Sequence, residues 1–251
     1  MKRKLIYQSI AIISLVLCAC NSDTKRNEKE HSRHEHKKGE PAKHPHKDHN
    51  KANHHMNKNS FEDLAKRFES EERTSWQKPA IVIQKLGEIK GKKIADIGAG
   101  TGYFAFRLAN LGAKVSAIDV DKRFIAFMEE RIKKDKTSNL ITKLVGYDNP
   151  ELGEKEYDAV LIVDTYHHFN DKHAYLTHCF HGLKEGGILM NVDFKYEETN
   201  HGPPLDHRIA AEEVKRDLLK VGFTEVKIDQ NTLEEQYIVT AKKKPKNEQQ
   251  N

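Results

Sequence analysis

The sequence predicts an α/β fold: a seven-stranded sheet, mostly parallel, with an antiparallel hairpin at its C-terminal end and helices on both faces. Three observations carry this reading. Apolar runs of strand length alternate with helical patterns from about residue 93 to residue 242, as expected of βαβ units. Most of the runs are continuously apolar, so their strands are buried on both sides, as in a parallel sheet. The last two runs are separated only by "QNTLEE", which suits a hairpin but is too short for a helical crossover. The architecture is Rossmann-like, ending in an antiparallel pair.

The elements follow in order. Ser60, with Glu62 and Asp63 behind it, is a helix N-terminus signal, and Phe61, Leu64, Ala65 and Phe68 form one apolar face. "WQKPAIVIQKLGEI" reads as a second helix, with Pro79 in its first turn. The strands are "KIADIG", "KVSAID", "ITKLVG", "YDAVLIVD", "GILMNVDF", "EVKID" and "QYIVTAK", and helical patterns lie at 103–110, 122–134, 171–183 and 211–221.

The N-terminal quarter is different. Lys2, Arg3 and Lys4 precede an apolar run, Leu5 to Leu17, in the order of a secretory signal and too short for a comfortable membrane span. The run ends Leu17-Cys18-Ala19-Cys20, which resembles a bacterial lipobox. That resemblance implies a signal peptide over 1–19, diacylation of Cys20, a membrane contact through the lipid and a place in the cell envelope. The alternative is an uncleaved anchor that leaves the domain on the cytoplasmic face. Residues 20–59 are polar and nearly free of large apolar side chains, so they read as a disordered tether. Eight of the fifteen histidines fall there (31, 34, 36, 44, 46, 49, 54 and 55). A soluble linker explains them, and weak divalent metal binding is the second reading. The folded domain is expected over 60–244 with a disordered tail over 245–251.

Charge narrows the partners. Residues 1–59 hold 13 Lys+Arg against 6 Asp+Glu, whereas 60–251 hold 30 against 32. The basic excess thus belongs to the tether, and the near-neutral domain is not expected to bind nucleic acid. Of Cys18, Cys20 and Cys179, only the last would remain as a thiol, so no disulfide framework is possible. Cys179 reads as a small buried residue.

Gly98, Gly100 and Gly102 lie where the first strand hands over to a helix, the ligand edge of an open α/β sheet. A dinucleotide fingerprint would place glycine or alanine at 103, where this chain has Tyr103. Asp96 precedes the loop and suits an ammonium or sulfonium group better than a pyrophosphate. Asp119 ends the next strand, 21 positions after Gly98, where an acid can accept bonds from ribose hydroxyls. The loop therefore favours a cationic nucleoside, and a nicotinamide oxidoreductase fits poorly.

On these residues the chain, from about Phe61 to Lys242, resembles the class I S-adenosylmethionine-dependent methyltransferases. "IADIGAGTG", "VSAID", "YDAVLIVDTYHHF" and "LKEGGILMNVDF" carry the likeness. "FESEERTSWQKP", "VDTYHHF" and "GPPLDHRI" narrow it to a group of bacterial methyltransferase-domain proteins. The resemblance implies S-adenosylmethionine as cofactor, with Asp96, Gly98 and Gly100 at its methionine part, Gly102 among the other cofactor residues, Asp119 at the ribose and Asp148 beside Tyr147 at the adenine. Asp164 joins the cofactor residues, and His167 and His168 are the candidates for proton transfer. Asp193 and the His207-Arg208 pair are candidates for the acceptor side, with Trp76 and the Phe61 helix as a lid. The expected activity is methyl transfer to a small molecule. The alternative is a membrane-tethered metal-binding lipoprotein that has kept the fold as scaffold.

Overall fold

A computed structural model describes Asn53, Met56 and residues 58–245, all within one unit, Pro45–Asn251. The signal segment, Cys20, the histidines of the tether and the tail beyond residue 245 lie outside the described residues. Asn53, Met56 and Lys58 are helical.

Three short helices lead in: α1 (Phe61–Phe68), α2 (Glu71–Gln77) and α3 (Pro79–Gln84). Ser60 caps α1, its Oγ accepting from the Asp63 N–H at 3.1 Å. The single helix expected around "WQKPAIVIQ" is instead two. Pro79 disfavours helical geometry in the residue before it, and Lys78 takes φ 46°, ending α2 and opening α3. The break leaves Arg73, Trp76 and Gln77 on one face of α2 at i, i+3 and i+4 spacing.

The chain then alternates: β1 (Lys93–Ile97), α4 (Tyr103–Asn110), β2 (Lys114–Asp119), α5 (Lys122–Asp135), β3 (Leu140–Leu144), β4 (Tyr157–Val163), α6 (Lys172–Gly182), β5 (Leu183–Phe194), α7 (Ala211–Val221), β6 (Thr224–Asp229) and β7 (Gln236–Lys242). The strands form one sheet in the order β3-β2-β1-β4-β5-β7-β6. β1 to β5 are parallel, and β7 lies antiparallel to both β5 and β6. The expected parallel set with an antiparallel C-terminal pair is what the sheet shows.

Period-2 alternation sorts the strands' side chains between two cores. In β4, Ala159, Leu161 and Val163 join the core that also holds α4, while Val160 and Ile162 join the core beneath α6 and α7. Cys179 is buried in the second core, and burial pushes its thiol pKa upward, as suits a packing residue. Truncating a central side chain such as Leu161 to alanine is expected to cost about 2–5 kcal/mol.

This order positions the site. The sheet reverses direction of growth between β1 and β4, so the loops after these two strands splay apart and open a crevice at the strands' C-terminal ends.

Candidate functional site

That crevice is a cavity of about 540 Å³. One half lies over β1, β2 and β3, walled by Gly98, Gly100, Asp119, Phe124, Val145 and Tyr147. The other lies over β4 and β5, walled by Asp164, His167, His168, Phe194 and His207, with Trp76 and Arg73 reaching in from α2.

The loop after β1 is held by the next strand: the Gly98 and Ala99 N–H groups both donate to the Ile118 carbonyl, at 2.8 and 3.0 Å. Gly98 has φ 71°, and a Cβ there would stand 2.2 Å from Thr165 Oγ1. Only glycine lets the β1 and β4 loops meet so closely. Gly100 also has positive φ, and its N–H donates to Asp119 Oδ2 at 2.8 Å. Gly102 does not face the cavity. A Cβ there would stand 2.7 Å from the Phe106 ring, so its glycine serves helix packing at the start of α4 rather than the ligand contact expected of it.

The two acids of this half differ. Asp119 lines the cavity, and its other oxygen accepts from the Asp121 N–H at 2.9 Å. Burial raises its pKa to about 6 against the hydrogen bonds that hold it down. Asp96 lies beneath the loop, 2% exposed, and its Oδ2 has no hydrogen-bond partner among the described residues. Burial pushes it up to about 7, with Arg73 opposing and Asp119 adding to the rise. Such an unpartnered carboxylate is costly alone, and a cation bound nearby would relieve it. Of the Tyr147-Asp148 region expected at the adenine, Tyr147 lines the cavity with Val145, whereas Asp148 is exposed beside it.

After β4, Asp164 adopts φ 51°, unusual for a non-glycine residue. Gln77 Nε2 donates to its Oδ2 at 3.0 Å, Gln236 Nε2 to its Oδ1, and Arg73 stands 3.9 Å away. Burial and the nearby Asp193 raise its pKa to about 6, opposed by Arg73. His167 is buried, with Nδ1 at 3.0 Å from Asp193 Oδ2. Burial alone would lower its pKa; the Asp193 carboxylate outweighs this and leaves it raised. With Nδ1–H directed at the carboxylate, Nε2 carries the lone pair, which is the arrangement of an oriented general base. His168 sits against it, ring centroids 4.3 Å apart, but its Nδ1 is 2.9 Å from Asn53 Oδ1. Of the two histidines, His167 has the carboxylate partner a base needs.

Arg208 is not a ligand residue. It is buried, and its guanidinium donates to the carbonyls of Pro203, Lys195, Glu197 and His201 at 2.6–3.1 Å. It ties down the loop that carries His201 and His207 to the cavity. Trp76 forms part of the roof, stacked on His201 at 4.9 Å with 17° between planes. The Phe61 helix lies along the cavity: Phe61 packs on Phe124 and Phe127, and Phe68, at the far end of the same helix, lines the cavity.

Comparison with known proteins agrees with this geometry. A family model described as "Methyltransferase domain" matches residues 95–189. The match covers the strands and loops that build the first half of the crevice and both faces of its switch point. Over 111 residues the chain is 33% identical to a tRNA U34 carboxymethyltransferase of Campylobacter hominis, covering 43% of this chain and 38% of that one. Over 121 residues it is 30% identical to a demethylmenaquinone methyltransferase of Tropheryma whipplei, covering 48% of each. The chain thus spans half or less of the length of these curated relatives. Among solved structures, a S-adenosylmethionine-dependent methyltransferase from Aquifex aeolicus superposes with a TM-score of 0.67 at 21% identity, over 74% of this chain and all of that one.

The crevice suits S-adenosylmethionine. The orphaned Asp96 oxygen and the loop whose Gly98 admits no side chain are the features such a cationic nucleoside needs. Tyr103, the residue that breaks the dinucleotide fingerprint, is buried between the guanidiniums of Arg73 and Arg107, 4.1 and 3.7 Å from its ring, and its hydroxyl pairs with Thr74 at 2.8 Å. Sequence reasoning missed Arg73, Gln77 and Gln236, the residues that hold Asp164. The i, i+3, i+4 spacing of 73, 76 and 77 was the available signal for two of these.

Proposed function

We propose that the chain transfers a methyl group from S-adenosylmethionine to a small-molecule acceptor. One observation carries the reading: a single cavity joins a glycine loop backed by buried carboxylates to a buried histidine–aspartate pair. When bound, the cofactor supplies an electrophilic methyl carbon on a positively charged sulfur. The chain's residues do the rest. Asp119 spends one acceptor site of each oxygen on backbone N–H groups and keeps a second on each for ribose hydroxyls. Asp96 gives the loop the negative field a sulfonium or ammonium group favours. His167 can take a proton from the acceptor, with Asp193 stabilising the resulting imidazolium. The cavity walls would hold the acceptor in line with the methyl group.

A small molecule suits a cavity of about 540 Å³ better than a polynucleotide, and the near-neutral charge of residues 60–251 supports this. The histidines behind the metal-binding alternative lie outside the described residues; among the described residues no cluster of three or more His, Cys, Asp or Glu could hold a metal ion. We also propose that Cys20 carries a lipid anchor at the cell envelope. A Cys20→Ser chain moving from the detergent to the aqueous phase would support that, and an unchanged partition would count against it. Among the described residues no helix is long and apolar enough to cross a membrane.

The test of the main reading is thermal unfolding of the full chain with S-adenosylhomocysteine. At a hundred times Kd the ligand should stabilise by about 2.7 kcal/mol, and Asp119→Ala should cancel most of the shift. A well-folded chain that shows no shift would remove the reading.

A further inference from the structure

The half of the cavity over β4 and β5 also restricts which acceptor can enter. Resting on methyl transfer as proposed above, we infer that this half accepts a flat, electrically neutral molecule bearing an acidic O–H group, a phenol or enol, and rejects phosphorylated or carboxylated ones.

Charge is the first argument. An anionic acceptor needs a free arginine fork or lysine. Arg73 donates from Nε to Gln77 Oε1 at 2.6 Å and from NH1 to the Phe68 carbonyl at 3.0 Å, with Tyr103 against its face. Arg208 is committed to four carbonyls. Arg67 lies over the Phe68 ring, which packs beside Gly100 on the opposite half. The wall meanwhile presents Asp164 and Glu72, and Asp193 stands directly behind His167. Over β4 and β5 an incoming phosphate or carboxylate meets like charge, and the guanidiniums on that side, Arg73 and Arg208, are already hydrogen-bonded.

Shape is the second argument. The Trp76 ring is fixed by its stack on His201, whose Nδ1 is held by Glu235 at 3.0 Å, and lies 5.6 Å from the Phe194 ring. Phe169 and Tyr175, also on the wall, stack at 3.8 Å. Rings locked in place favour a planar partner.

The third argument is the proton. A phenolic O–H gives its proton to His167 Nε2; the bonding pair stays on oxygen, and Asp193 balances the imidazolium. An ammonium acceptor giving its proton to the same base would leave a neutral amine, without the ion pair that holds a phenolate beside the imidazolium.

Trp76 is the chain's only tryptophan, so its fluorescence reports this half directly. The probe is 3-nitrophenol, held about one unit below its own pKa so that the free molecule is neutral. It should quench Trp76 saturably and about tenfold more tightly than 3-nitrobenzoate, 3-nitrophenyl phosphate or 3-nitrobenzylamine, and the bound form should show the phenolate band. His167→Gln should keep the quenching and lose the band. If that variant does not fold, the four probes on the unmodified chain decide. Acidic or amine probes binding as tightly, or phenol binding without the band, would overturn the inference. Calorimetry with S-adenosylhomocysteine on the same sample separates the two claims. Uptake without phenol binding removes the acceptor class alone, and no uptake removes methyl transfer.

Discussion

His167 Nδ1 lies 3.0 Å from Asp193 Oδ2, and both side chains are buried at the ends of neighbouring parallel strands. The topology makes this pair: β4 and β5 pair in parallel from Ala159 with Ile188 to Val163 with Val192, so the residues just beyond β4 meet the C-terminal end of β5. The carboxylate fixes the imidazole's tautomer and holds its pKa above the ordinary histidine value. In a nitrogen-detected NMR titration His167 should therefore titrate above the ordinary histidine value, and Asp193→Asn should bring the midpoint down. An unchanged midpoint would show that the pair is not coupled.

The glycines of the loop should separate by role. Gly98→Ala places a methyl against Thr165 at positive φ, so the loop must shift. It should lose more than about tenfold in affinity for S-adenosylmethionine and about 1–3 kcal/mol in stability. Gly102→Ala meets the Phe106 ring away from the cavity. It should lose similar stability while the folded fraction binds cofactor within about threefold of the parent. Calorimetry on both variants checks the contrast.

Much of this arrangement was legible in the chain. The helices at 103–110 and 211–221 fall where the periodicity put them, and Ser60 and Asp121 cap helices as their side chains suggest. These are local signals, carried within a few residues. What stayed hidden depends on distant contacts. Gln236 reaches Asp164 across 72 positions, and Arg208 finds four carbonyls on a loop with no regular structure. Nothing local distinguishes Gly98, which packs against Thr165, from Gly102, which packs against Phe106. The break at Lys78 was readable from Pro79, because the residue before proline avoids helical geometry.

Stability and cofactor binding should respond to pH with opposite signs. Burial first of all raises Asp96 to about 7 and Asp119 and Asp164 to about 6. Between about pH 4 and pH 7 the folded chain then holds protons that the unfolded chain has released, so stability falls as pH rises through that window. His167, also raised, adds to the same trend, since its stabilising charge is lost above its folded pKa. Cofactor binding needs the ionised carboxylates and should strengthen over the same range. Melting curves should show a lower transition at pH 8 than at pH 5.5 without ligand, and a larger ligand-induced shift at pH 8. Parallel trends would contradict this account of the acids.

Arg208→Lys keeps a charge but loses the planar fork that reaches several carbonyls at once. It should destabilise the chain by about 2–4 kcal/mol, with faster amide exchange concentrated in residues 195–208. A substitution that left both unchanged would remove Arg208 as the loop's anchor.

The most direct test of the central claim is calorimetry of the folded chain at pH 8 with S-adenosylmethionine and, separately, NADH. A glycine turn backed by Asp96 and Asp119 predicts saturable, one-to-one uptake of the sulfonium nucleoside and none of the dinucleotide. Uptake of NADH, or no heat with S-adenosylmethionine from well-folded protein, would contradict it.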